Sequence, residues 1–173
     1  MHDSLISYIH DVPDFPQPGI LFRDITPLLR SPLAFQTAIQ QLAAPFREQR
    51  IQVVAAAESR GFLFGAPLAL ELGAGFVPIR KPGKLPRATE SRQYDLEYGQ
   101  DQLQIHRDAI HPGERVLLVD DVLATGGTMK ACAELVQSRG GLIVSCAFLI
   151  ELHFLHGREK LAPHKILSLI EYA

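Results

Sequence analysis

The chain has 173 residues, of which 47% are hydrophobic and 21% charged, enough apolar material for one domain with a real core, which excludes disorder as a global description. Its 17 Lys and Arg against 19 Asp and Glu leave a formal charge of −2, which argues against a dedicated nucleic-acid binder without excluding a local basic patch. Cys132 and Cys146 are too few for a disulfide framework or a Cys-rich zinc site, and no run approaches the roughly 20 apolar residues that cross a bilayer.

Met1-His2-Asp3-Ser4 has no cationic stretch followed by an apolar one, so no secretory signal is expected and the reading is cytoplasmic. Leu5, Ile6 and Ile9 form a short apolar pattern. The proline-studded segment from Val12 to Gly19 is expected to be extended or turn structure, because each proline removes a donor and fixes φ. Ser31 is a candidate cap and Pro32 suits a first helical position. Phe35, Ala38, Ile39, Leu42, Ala43 and Phe46 then recur at helical spacing until Pro45 kinks or ends the helix.

Ile51 to Ala57 reads as a buried strand, Gly61 to Leu72 as a helix, and Phe76 to Ile79 as a second strand. Residues 80–101 read as a long loop with few structural commitments. Val116 to Val119 is a short apolar strand. Met129, Cys132, Ala133 and Val136 line one face of a helix that Gly140 and Gly141 stop. Leu142 to Ile150 is the last long apolar strand read. Apolar strands alternating with helices imply an α/β domain with a mostly parallel central sheet flanked by helices. Such sheets bind ligands at the strands' carboxyl ends, here after Ala57, Ile79, Val119 and Ile150.

Val119-Asp120-Asp121-Val122-Leu123-Ala124-Thr125-Gly126-Gly127-Thr128 is the richest segment. Glycines at a helix start let unpaired N–H groups approach a phosphate, and two threonine hydroxyls add donors. Two carboxylates about 4 Å apart repel each other and the phosphate by a few kcal/mol at intermediate dielectric. They make sense if they accept hydrogen bonds from sugar hydroxyls or lie close to Mg²⁺. The combination calls for a phosphorylated sugar with a divalent cation. No G-x-x-x-x-G-K-[ST] or G-x-G-x-x-G string occurs. His153 and His156 lack the partners of a zinc set.

This segment resembles the phosphoribosyl pyrophosphate signature of the type I phosphoribosyltransferases. Four others narrow the resemblance to the adenine-using branch of that family: Gly19 to Pro27, Glu58-Ser59-Arg60-Gly61-Phe62, Arg80 to Pro86, and Leu96-Glu97-Tyr98-Gly99. The similarity runs from about Phe15 to the C-terminus. It implies a single domain with an N-terminal hood (1–30) and a flexible lid loop (80–101).

The implied reaction joins adenine to phosphoribosyl pyrophosphate, giving AMP and pyrophosphate with Mg²⁺, in a homodimer that uses neither nucleic acid nor membrane. The same chemistry on hypoxanthine, guanine or xanthine is the alternative, and a phosphoribosyl-pyrophosphate-sensing regulator a further one. By resemblance Asp120 and Asp121 bind the ribose hydroxyls, with Mg²⁺ held mainly by substrate nearby. Ala124, Thr125, Gly126, Gly127 and Thr128 hold the 5′-phosphate. Glu58, Ser59, Arg60, Arg80, Lys81 and Lys84 meet the pyrophosphate, Arg80 either in its own site or, given the family's dimer, in the neighbouring subunit's. Arg60 can also make paired hydrogen bonds to phosphate oxygens on its own chemistry. Glu97 and Tyr98 fall near the reacting centre, Glu97 either moving a proton or steadying the lid. Leu21, Phe22, Arg23 and Leu152 surround the base, Phe22 offering a stacking face. Ala55 departs from the family, where glycine is frequent.

Overall fold

The computed structural model describes residues 4–95 and 99–173. A short antiparallel hairpin, β1 (His10–Pro13) and β2 (Leu21–Asp24), comes first. It contains the proline-studded turn. Helices α1 (Thr26–Arg30) and α2 (Pro32–Ala43) follow. Ser31 caps α2 as its sequence position predicts, its Oγ accepting from the Ala34 N–H at 3.3 Å.

The central sheet is built from β3 (Val53–Ala57), β4 (Gly75–Ile79), β7 (Arg115–Leu123), β8 (Leu142–Leu152) and β9 (Ile166–Tyr172). Its order is β4-β3-β7-β8-β9, parallel throughout. Crossovers run through α3 (Arg60–Leu72), α4 (Gly127–Ser138) and α5 (Gly157–Leu161). Between β4 and β7 lies an antiparallel ribbon, β5 (Thr89–Asp95) with β6 (Gln100–His106). The stretch expected to be an uncommitted loop, 80–101, therefore carries all of β5 and the first residues of β6. Their side chains are mostly polar, so the alternation that marks a strand is faint.

Sheet alternation sends neighbouring residues to opposite faces. Leu117 and Val119 join Phe64, Leu68 and Leu42 in one core, under α2 and α3. Val116 and Leu118 join Leu103, Ile105, Cys132 and Leu135 in the other, under α4 and the ribbon. Both cysteines are buried there, and burial holds their thiols above the ordinary range. They are core residues, as expected.

Two strands depart from what the sequence indicates. β7 continues through the acid pair to Leu123, with Asp120 opposite Phe148. β9 escaped the reading; its pairing with β8 closes the sheet's far edge. Among the described residues no helix is long and apolar enough to cross a membrane.

Candidate active site

The carboxyl ends of β3, β4 and β7 open onto one cleft of about 470 Å³. After β3 it is lined by Glu58, Ser59 and Arg60, after β4 by Lys81, near the end of β7 by Asp120 and Asp121, and at the start of α4 by Thr128. The ribbon covers one side with Tyr94, Asp101 and Leu103. Three of the four strand ends singled out in the sequence thus meet in one place.

Gly61 lets α3 come this close to β7. A Cβ there would stand 3.0 Å from Asp120 Oδ1 and 3.3 Å from the Val119 carbonyl. Asp121 is 3% exposed. Arg60 Nε stands 2.8 Å from its Oδ2. The N–H is not aimed along that line, so the charges touch while Oδ2 lacks a directed hydrogen bond. Asp120 Oδ1 accepts from the Asp121 N–H at 2.9 Å. Burial pushes the Asp120 carboxyl well up from its ordinary value, and the Asp121 charge pushes the same way. Burial raises Asp121 as well, with Arg60 opposing it. An acid pair so poor in partners is suited to hydrogen-bond donors or a cation supplied by a ligand.

From Asp120 the cleft continues into a smaller recess lined by Ala124, Thr125, Gly126, Gly127 and Thr128, with Phe148 behind. Gly126 has φ +81 at the N-cap of α4, a left-handed conformation that frees the turn's N–H groups. The first amides of α4 border this recess, the arrangement that favours an anion.

Arg80 and Lys81 are already engaged. Arg80 Nε donates to Glu58 Oε1 at 3.1 Å, and the Lys81 N–H donates to the same oxygen at 2.7 Å. Lys81 Nζ pairs with Asp101 Oδ2 at 3.0 Å, which lifts the lysine above its ordinary value and holds Asp101 below its own. Tyr94 donates its hydroxyl to that carboxylate at 3.3 Å. Lys84 is exposed beside this group. The ribbon's Tyr94 and Asp101 are cleft residues that sequence reasoning missed. Only the register of two polar strands brings them there.

The hood residues are spread more widely. Phe22 stacks edge-on with Phe15 at 5.1 Å, and the Arg60 guanidinium lies 5.3 Å from the Phe22 ring. Phe22 is thus the hairpin's link to the cleft. Arg23 turns away, pairing with Asp11 and lying 3.8 Å over the Tyr172 ring. Leu21 is exposed. Leu152 ends β8 opposite Tyr172 and packs against the α2–α3 core. Glu97 and Tyr98 lie outside the described residues.

A parallel sheet whose central strand carries an acid pair and runs into a glycine turn at a helix start is the architecture of a type I phosphoribosyltransferase. The phosphoribosyl transferase domain family matches residues 27–168. The chain belongs to that family, in its adenine phosphoribosyltransferase branch. It is 57% identical over 171 residues to the adenine phosphoribosyltransferase of Rhodopirellula baltica, covering 99% of this chain and 83% of that one. The crystal structure of the Thermoanaerobacter pseudethanolicus adenine phosphoribosyltransferase superposes with a TM-score of 0.93 at 55% identity, over 96% of each chain. That of the Giardia lamblia enzyme, complexed with 9-deazaadenine, superposes at 0.92 with 36% identity, over 98% of this chain and 96% of that one.

Proposed function

We infer that the chain transfers the phosphoribosyl group of 5-phosphoribosyl 1-pyrophosphate to adenine, yielding AMP and pyrophosphate, as its relatives are named for. The observation that carries this is the acid pair of β7 running directly into the Ala124–Thr128 recess, with Arg60 against Asp121 in the same cleft. In this reading one ribose 5-phosphate spans both: sugar hydroxyls on Asp120 and Asp121, phosphate in the turn.

In this reading Arg60 exchanges its imperfect contact with Asp121 for pyrophosphate oxygens. Lys81 does the same, leaving Asp101. Glu58 and Ser59 add polar contacts at that end, and Lys84 and Arg80 lie within the same basic segment. The C1–O bond to pyrophosphate breaks as the bond from C1 to an adenine nitrogen forms. The C–O electron pair leaves with pyrophosphate, while the adenine N–H proton departs, with Glu97 as its acceptor. Positive charge on the sugar grows in the transition state, so catalysis is positioning plus electrostatics. Closure of the lid loop that the family resemblance implies, to which it also assigns Tyr98, would exclude water. Phe22, with Leu21, Arg23 and Leu152 around it, holds the base.

The donors present also suit Mg²⁺, which keeps several waters and takes one or two carboxylates together with substrate phosphates. Asp121 Oδ2, buried without a directed hydrogen bond, and the raised Asp120 are such donors. They would hold the ion beside the substrate, where it neutralises charge on the departing pyrophosphate. The reading includes a cytoplasmic homodimer, on family resemblance.

Release of pyrophosphate with adenine, hypoxanthine, guanine or xanthine, each with and without Mg²⁺, tests it. Adenine is expected to be used at least a hundredfold better than any other base, and only with the metal. Comparable use of a 6-oxo purine would overturn the assignment to adenine.

A further inference from the structure

Behind the phosphate turn stands a group of residues that the reaction does not use. Gly157 begins α5, and its backbone touches the back of the turn. A Cβ on Gly157 would fall 2.3 Å from the Ala124 carbonyl oxygen and 2.9 Å from Leu123 Cδ1. A Cβ on Gly126 would fall 2.6 Å from the Gly157 carbonyl oxygen. The two backbones therefore meet only because both positions are glycine.

The next residue is held hard. Arg158 donates from Nε to Glu151 Oε1 at 2.5 Å and from a terminal nitrogen to Oε2 at 2.7 Å. Ser168, on β9, donates to the same Oε2 at 2.5 Å. His153 Nδ1 lies 3.6 Å from Oε1. Glu151 is 2% exposed in β8. Burial alone would raise its carboxyl, but the bonds from Arg158 and Ser168 outweigh that and hold it below the ordinary range. A two-pronged Arg–carboxylate pair fixes direction as well as distance. The chain from β8 and β9 through Glu151 and Arg158 to Gly157 thus ends on the carbonyl of Ala124.

We propose that Glu151, Arg158 and Gly157 form a strut that sets the position of the phosphate-binding turn, making them positioning residues for the 5′-phosphate. The proposal rests on the reading of residues 124–128 as the phosphate site. None of the three residues lines the cleft or the recess. The strut's effect is selective: it acts on the ligand's phosphate and not on the base.

The test uses the full chain and two variants, Gly157→Ala and Arg158→Lys, the second keeping the charge on Glu151 while losing the fork. Binding of AMP and of adenosine is measured by calorimetry, together with KM for phosphoribosyl pyrophosphate and for adenine. Wild type should bind AMP much more tightly than adenosine. Gly157→Ala should lose at least tenfold in AMP affinity and Arg158→Lys threefold or more, with adenosine within twofold. KM for phosphoribosyl pyrophosphate should rise in parallel and KM for adenine should not.

General loosening of the fold would weaken both ligands together and would overturn the strut. So would folded variants that keep the wild-type preference for AMP. If Gly157→Ala does not fold, Arg158→Lys decides. A wild type that binds AMP and adenosine equally would remove the phosphate reading itself, a failure distinct from that of the strut.

Discussion

Asp120 and Asp121 are kept in surroundings that suit a ligand better than the free protein. Asp120 has a folded pKa raised from the ordinary 3.8 by burial and by its neighbour. A carboxyl so raised holds its proton more tightly folded than unfolded. Stability is therefore lost as pH climbs from the unfolded value through the folded one, and the penalty is complete above it. Asp120→Asn removes the penalty and keeps an oxygen for the Asp121 N–H. At pH 7 to 8 its thermal midpoint should exceed wild type, by roughly 2–4 °C for each kcal/mol recovered in a domain of this size. The gain should fade toward pH 4. Turnover should drop roughly 10- to 150-fold, the equivalent of one hydrogen bond to a charged group at about 1.5–3 kcal/mol. Thermal melts across pH beside a rate assay check both; a variant less stable than wild type at pH 8 would contradict the argument. The acid pair was legible because its residues are contiguous with the glycine turn. Asp101 and Tyr94 were not, since only the pairing of β5 with β6 carries them to the cleft.

The elements read well from sequence are those whose burial is one-sided or complete. β3 is buried along all five residues, and α2 and α4 each bury a regular stripe. β5 and β6 bury little more than Leu103 and Ile105, so their pattern resembles a polar loop. The acid pair hid the true end of β7, because carboxylates inside a strand read as a turn. A glycine inside a helix reads as weakness, yet Gly65 in α3 has a packing reason. A Cβ there would meet Ala56 Cβ at 2.9 Å and Phe76 Cε2 at 2.7 Å. The phenyl ring can yield, whereas Ala56 sits in the central sheet at 1% exposure. Gly65→Ala gains about 1 kcal/mol of helix propensity but forces α3 off β3 at a cost of about 1–3 kcal/mol. The variant is expected to be no more stable than wild type and up to about 2 kcal/mol less so, read from the urea midpoint. A clear gain in stability would show that α3 has slack against the sheet.

At the scale of the molecule, the cleft is assembled from segments far apart in the chain. Residues 58–60, 81, 94, 101, 103 and 120–128 contribute, each anchored in one of the two cores on either side of the sheet. Net charge was silent about this arrangement: −2 in total conceals Arg60 and Lys81 facing Asp120, Asp121 and Asp101. A ligand that needs all these segments binds the folded state alone and stabilises it by RT ln(1 + [L]/Kd), about 2.7 kcal/mol at a hundredfold excess over Kd. For this chain length AMP should then raise the melting temperature on the order of 5–10 °C. Leu42, fully buried in α2 beneath the opposite side of the sheet from α4, offers a control. Leu42→Ala should cost about 2–5 kcal/mol through lost burial and a residual cavity. It lines neither the cleft nor the recess beside it, and effects at distant sites add. The free variant should melt well below wild type, while AMP at one fixed concentration, a hundredfold above the wild-type Kd, adds the same free energy to both. An AMP increment that disappeared in Leu42→Ala would mean that the cleft is not independently held by the sheet, and that the α2–α3 core takes part in shaping it.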